Sequence, residues 1–255
     1  GAVIENSTFV ENRGNGIWFD IGNEDCEVRN CFIAFNDDAG IFYEISFGLH
    51  AHDNVIISNG LAGTAGAWGA AAGISLSSSP GCLIERNILF GNKEGFNFRE
   101  QPRSTSRIDS RKGEPVWNHD HIIRNNILAY NRDAQTWGWF DISDNRHWPA
   151  EAGGADPNAL SIEKLSLRFE DNLYCPGPGQ DLLNWGVTWK KHKKYTELSQ
   201  VRRELGIDQD SEVTDFTVKD SHGLDFRVPA DSPAVKMDCY PRGRVPGVQL
   251  GTYEP

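Results

Sequence analysis

Asp20 and Glu44 stand 24 residues apart at the same place in two copies of one phrase, Gly16-Ile17-Trp18-Phe19-Asp20-Ile21 and Gly40-Ile41-Phe42-Tyr43-Glu44-Ile45. If the copies stack strand on strand, the two side chains lie one strand spacing apart, about 4.8 Å. Like charges directly opposite each other destabilise a sheet, and their repulsion raises the pKa of one of them. One ionised carboxylate beside one protonated carboxyl is the equipment of glycoside hydrolysis. The retaining mechanism wants the two groups about 5–5.5 Å apart, one as nucleophile and one as acid/base. The plainer reading is a solvated acidic face that keeps a strand edge from aggregating.

Further copies extend the pattern: Gly73-Ile74-Ser75-Leu76-Ser77, Gly95-Phe96-Asn97-Phe98-Arg99 and, with a one-residue deletion, Gly138-Trp139-Phe140-Asp141. Strand alternation sends Ile17, Phe19 and Ile21 inward and Trp18 and Asp20 outward. One outward column then reads Asp20, Glu44, Ser77, Arg99 and Asp141. Its neighbour reads Trp18, Phe42, Ser75, Asn97 and Trp139. Exposed Trp18 and Phe42 are costly surface unless a sugar ring stacks on them. Arg99 falls two strands beyond Glu44, about 10 Å along the stack, where it either meets a substrate carboxylate or sulfate or pairs with Glu44 or Glu100. Trp68, in a small-residue loop, is expected as a lid, and Trp137 and Trp139 as a further stacking platform. Loop packing accounts for each tryptophan equally well.

The elements that must hold these side chains are declared by the repeat itself. IENSTFVEN, VRNCFIAFN and AHDNVIISN place Asn6, Asn30 and Asn54 at a period of 24 residues, and the phrase returns at Asn87, Asn126 and, degraded, at Asn172. A fixed period in this range marks a stacked repeat whose single units cannot bury their apolar faces alone. Short alternating strands between Asn, Gly and Asp turns show no helical period. The fold class expected is therefore all-β, a right-handed parallel β-helix, with the asparagines hydrogen-bonding along the stack at one turn. The growing intervals of 33, 39 and 46 residues place insertions after Asn54, Asn87 and Asn126, and insertions in a solenoid map to loops, often on one binding face. Residues 1–175 read as β-helix coils, and 176–255 as the last coil and a C-terminal cap. A short helix is expected from a Thr196 N-cap to a Gly206 stop. The opening Gly1-Ala2-Val3 falls inside a coil, so the expectation is that further coils precede it.

A net charge of −11 argues against nucleic acid and anionic membranes as partners, and no apolar run approaches the 18 or so residues of a membrane span. The five cysteines, Cys26, Cys31, Cys82, Cys175 and Cys239, show neither a CxxC pair nor a metal spacing and read as packing residues, with a Cys26–Cys31 disulfide left open. His119-Asp120-His121 puts two histidines at i and i+2, the spacing at which strand residues face one way and can share a metal. No third ligand matches them, so no metal is expected. His192 belongs to a basic run, Lys190 to Lys194, read as a solvated turn. Nucleotide-loop, dinucleotide and nucleophile-elbow motifs are absent.

GIWFDIGN followed 24 residues later by GIFYEISF resembles the right-handed β-helix glycosidases, which share the pectin lyase-like fold, and in particular the retaining β-helix β-xylosidases. The resemblance implies Asp20 as nucleophile and Glu44 as acid/base. GISLSSS, NFREQ and LDFRVPADSPAV are similar to the wider set of right-handed β-helix repeat proteins. The leading expectation is thus a retaining glycoside hydrolase of plant or algal oligo- or polysaccharides, secreted or periplasmic, needing no cofactor. A second is a polysaccharide lyase in which the acidic column holds Ca²⁺ against a uronate and Arg99 lies near the abstracted proton. A third is a non-catalytic glycan-binding or stalk-like β-helix. The fold alone does not separate the three.

Overall fold

The computed structural model describes residues 1–63, 71–100, 103–104, 113, 115–140, 165–187, 191–241, 244–245 and 247. Each turn of the chain supplies three short strands. Coil one holds β1 (Val3–Glu5), β2 (Thr8–Val10) and β3 (Ile17–Asp20); coil two holds β4 (Glu27–Arg29), β5 (Phe32–Ala34) and β6 (Ile41–Glu44). Coil three holds β7 (His50–His52), β8 (Val55–Ile57) and β9 (Ala72–Ser77), and coil four β10 (Leu83–Glu85), β11 (Ile88–Phe90) and β12 (Glu94–Glu100). After a two-stranded excursion, β13 (Arg103–Ser104) and β14 (Pro115–Val116), coil five holds β15 (Ile122–Arg124), β16 (Ile127–Ala129) and β17 (Ala134–Phe140). Coil six holds β18 (Arg168–Glu170), β19 (Leu173–Cys175) and β20 (Asp181–Val187).

The three strands of each coil pair in parallel with their counterparts one coil away, so the first, second and third strands form three separate sheets. The chain is the parallel β-helix that the repeat predicts. Parallel strands linked by crossovers in one sheet are right-handed with few exceptions.

Inward residues of all three sheets meet in one apolar column, among them Ile17, Phe19, Val28, Ile33, Tyr43, Ile56, Leu76, Phe96 and Phe98. The outer faces have three different fates. The first sheet carries charges outside, Glu5, Arg29, His52, Glu85, Arg124 and Glu170 in register. The second sheet is apolar outside as well. Phe32, Val55, Ile57, Ile88 and Ile127 form a second core there with Phe216, Phe226 and Ala234 of the C-terminal segment, and burying each large ring contributes about 2 kcal/mol. The third sheet carries the candidate site.

The corners explain the asparagines, with one correction of register. Asn6 and Asn30 are not in the ladder: they take the left-handed position, φ near 51°, shared by Asp53, Arg86, Asn125 and Asp171. Asn and Asp tolerate that conformation better than most residues. The ladder is one residue further on, where Asn54 Nδ2 donates to Asn87 Oδ1 (2.9 Å), Asn87 to Asn126 (3.0 Å) and Asn126 to Asn172 (3.2 Å). Cys31 holds this position in coil two, and its backbone N–H donates to Asn54 Oδ1 at 2.9 Å. A second ladder runs through Asn12, Asn36, Asn59, Asn92 and Asn131 at the next corner. Ile21, expected inside, is exposed at a left-handed corner (φ 43°) because the strand stops at Asp20.

Past coil six, β21 (Lys191–Tyr195) returns antiparallel on β20, so the basic run containing His192 is a strand rather than a turn. Helix α1 (Leu198–Leu205) ends at left-handed Gly206 as expected, but its N-cap is Glu197, which makes no side-chain cap, rather than Thr196. β22 (Glu212–Val213) extends the second sheet beside β19, and α2 (Pro233–Lys236) lies in the segment that covers that sheet. All five cysteines are free, so Cys26 and Cys31 are not bridged.

Candidate active site

The third sheet is held in register by a column of glycines. A Cβ on Gly16 would sit 2.7 Å from Gly40 O, on Gly40 2.6 Å from Gly73 O, on Gly73 2.7 Å from Gly95 O and on Gly95 2.5 Å from Gln135 O. Backbone oxygens at that distance leave no room for any side chain, so the glycines fix where each strand begins and hence which residues point outward.

With that register, Trp18 pairs with Phe42 and Asp20 with Glu44 on β3 and β6. The same rows continue to Ser75 and Ser77 on β9 and to Asn97 and Arg99 on β12. The fifth copy differs from expectation. Gln135, not Gly138, follows Gly95, because its side-chain oxygen takes over the next step of the second ladder from Asn131 (2.8 Å). β17 is therefore shifted: Trp137 follows Asn97, and by backbone register Trp139 follows Arg99 in the Asp20 column rather than the Trp18 column. Asp141 and Trp68 lie outside the described residues.

Burial separates this face into an open and a closed part. Trp18 is 56% exposed and Asp20 is exposed, whereas Phe42 is 5%, Ser77 0%, Asn97 4% and Arg99 1% exposed. The expectation that Phe42 is exposed is thus corrected, and Ser77, Asn97 and Arg99, expected to face outward, are buried as well. They point outward, but alternation gives only the direction of a side chain and not what lies over it. Phe42 serves as the floor on which the Trp18 ring stacks, centroids 5.9 Å apart and planes inclined by 19°. Trp18, Asp20 and Glu44 remain as the reachable set.

Glu44 lies between the two parts. Its pKa is raised, first by burial, and Asp20 beside it adds to the rise; Arg99, Arg103 and the Trp18 indole pull the other way. Arg99 reaches back along the column, its Nη2 3.9 Å from Glu44 Oε1 and its Nε donating to Ser77 Oγ at 3.4 Å. Of the two roles open to Arg99, the internal ion pair is the one its geometry fits. Arg103 was not singled out among candidate residues. It opens the basic insertion after β12, and its side chain acts electrostatically on Glu44.

Behind this lies a buried polar chain in which Ser75 Oγ donates to Asn97 Oδ1 (2.5 Å) and Asn97 Nδ2 to Glu94 Oε2 (2.5 Å). Burial pushes Glu94 up to about 7.

His119 and His121 do not form a metal pair. Asp120 between them is left-handed (φ 55°), so His119 stays at the surface with Asp120 (2.6 Å) while His121 is buried, its Nδ1 accepting from Cys82 N (3.1 Å).

Residues 1–71 match the family model described as right handed beta helix region. The match agrees with a right-handed coil. The match covers coils one and two and reaches into coil three, so Asp20, Glu44 and Trp18 all fall within it. No curated protein matches the chain. Among the described residues no helix is long and apolar enough to cross a membrane.

Proposed function

We propose that this right-handed β-helix is a carbohydrate-active enzyme that hydrolyses a glycosidic bond with retention. The observation that supports it is the direct register pairing of Asp20 with Glu44, in which one carboxyl is exposed and the other is partly buried with a raised pKa. Neighbouring strands are about 4.8 Å apart, close to the about 5–5.5 Å that the retaining mechanism requires. Glu44, whose pKa is raised by burial, gives its proton to the leaving oxygen. Asp20 attacks the anomeric carbon and forms the glycosyl-enzyme. Glu44, now ionised, takes a proton from the incoming water, and the sugar is released with its original anomeric configuration. Trp18, backed by Phe42, supplies the flat apolar surface on which a sugar ring stacks.

The test is a screen of the whole chain, Asp20→Asn and Glu44→Gln on aryl glycosides and on plant and algal polysaccharides. Reducing ends are read beside unsaturated-uronate absorbance, and the anomer first formed is read by proton NMR. Hydrolysis with a retained anomer, lost in both folded variants, is the expected result. Unsaturated product would transfer the assignment to a lyase. Activity in both variants would place the chemistry elsewhere, and glycan binding without turnover would make the chain a binding module.

A further inference from the structure

His50 and His52 project from one face of β7, and Glu27 on β4 is the register partner of His50. One donor atom from each of the three lies within 4.8 Å of the others. We propose that Glu27, His50 and His52 form a site for a first-row divalent transition ion such as Zn²⁺, clamping coils two and three together on the outside of the first sheet.

The spacing suits a small ion. His52 Nε2 and Glu27 Oε1 are 2.9 Å apart; ligands of one zinc at about 2.0–2.2 Å and a tetrahedral angle are separated by roughly 3.3 Å. A shift of a few tenths of an ångström therefore converts the hydrogen bond into two metal bonds. The His52 ring is already oriented from behind, because its Nδ1 is 2.6 Å from Asp53 Oδ2. A carboxylate on the far nitrogen is the usual support of a metal-bound histidine. The rings of His50 and His52 stack at 4.1 Å with planes 30° apart, so both reach the same volume. The His50 side chain is 36% exposed, which leaves an entry path and room for water to complete the coordination.

Charge points the same way. Around the donors, Glu5, Glu27, Asp53 and Glu85 pair with Arg29, Arg86 and Arg124, four carboxylates against three guanidiniums. A cation beside the donors offsets this surplus negative charge. On binding, the ion takes the lone pair of His52 Nε2 and any proton there leaves to solvent. Imidazole donors select zinc, nickel or copper over calcium and magnesium, so this site is distinct in chemistry from the Ca²⁺ expected of a lyase. It lies on a different sheet from Asp20 and Glu44 and stands whether or not those residues hydrolyse sugars.

The experiment is calorimetric titration of the chelator-stripped chain with Zn²⁺, with Co²⁺ as a visible-absorbance probe and the thermal midpoint followed in parallel. One equivalent of Zn²⁺ is expected to bind and to raise the midpoint. His50→Ala and Glu27→Gln should weaken binding at least tenfold and abolish the Co²⁺ spectrum. Asp53→Asn, which removes only the support of His52, should weaken it roughly 10- to 100-fold. His119→Ala should change nothing. If Glu27→Gln fails to fold, the more exposed His50→Ala decides. Absence of saturable binding, or binding that survives His50→Ala in folded protein, overturns the proposal.

Discussion

Arg99 and Glu44 sit two coils apart on the third sheet, and the guanidinium bridges the intervening Ser77 to come within 3.9 Å of the carboxylate. Asp20, the register partner on the other side, bears the opposite charge. Glu44 is thus poised between a neighbour that raises its pKa and one that lowers it, with burial deciding the sign. Arg99→Met should raise the Glu44 pKa further, and Asp20→Asn should lower it. Carbon-13 NMR titration of the Glu44 carboxyl checks both without needing a substrate. If Glu44 is the acid, the alkaline limb of the pH–rate profile moves to higher pH in Arg99→Met. Equal shifts of one sign in the two variants would remove the electrostatic account.

Gly40→Ala should be strongly destabilising although Gly40 has no left-handed backbone to protect. Its Cβ would meet Gly73 O at 2.6 Å and Ile56 Cγ2 at 2.8 Å, and a backbone oxygen held in a parallel ladder cannot retreat. A loss of about 1–3 kcal/mol is expected, as for overpacking elsewhere. Gly14→Ala, whose Cβ meets nothing within 4 Å, is the control and should stay within about 0.5 kcal/mol. Urea unfolding of the two variants makes the comparison.

Those glycines also show what the sequence made legible and where it misled. The phase of Trp18, Asp20, Phe42 and Glu44 is readable because Gly16 and Gly40 open matching phrases. It failed in coil five because Gln135 occupies the glycine's place and a nearby Gly138 offered a false anchor. The Asn ladder was recognisable as a motif, but Asn6 and Asn30 precede Ser7 and Cys31, which hold the ladder position in the first two coils. Counting asparagines therefore slipped by one residue. The burial of Phe42, Asn97 and Arg99 is not legible at all, since alternation gives the direction of a side chain and not what lies over it. The i, i+2 histidine spacing is defeated at His119 and His121 by left-handed Asp120, whereas His50-Ala51-His52 lies in a true strand and carries the same signal.

Asn87→Ala tests the ladder as a source of stability rather than decoration. The Asn87 side chain is fully buried, accepts from Asn54 N and Nδ2, and donates to Ala51 O and Asn126 Oδ1. Alanine strands these groups away from water, and each unsatisfied buried polar group costs about 1–3 kcal/mol. The expected loss is therefore at least about 3 kcal/mol in denaturant titration. An effect under 1 kcal/mol would mean that water fills the gap, which an ordered-water site in a high-resolution structure of the variant would reveal.

Glu94 should make the fold lose stability as pH rises from about 4.5 to about 7. Its ordinary value is 4.5, and burial lifts it to about 7 against the opposing hydrogen bond from Asn97. In that window the folded chain holds a proton that the unfolded chain has released, so stability falls with rising pH and levels off above the folded pKa. Glu85 acts at the other end: His50, Arg124 and Arg86 hold it at about 2 in spite of burial, so its contribution is present above about 4.5 and lost as pH falls towards 2. Glu94→Gln keeps a partner for Asn97 and removes the upper titration alone. The difference in urea midpoint between Glu94→Gln and the natural chain should therefore grow in favour of the variant between about pH 4.5 and about pH 7 and level off above that. A difference that stays flat would show that Glu94 is ionised in the fold and that Lys93 or Arg132 neutralises it.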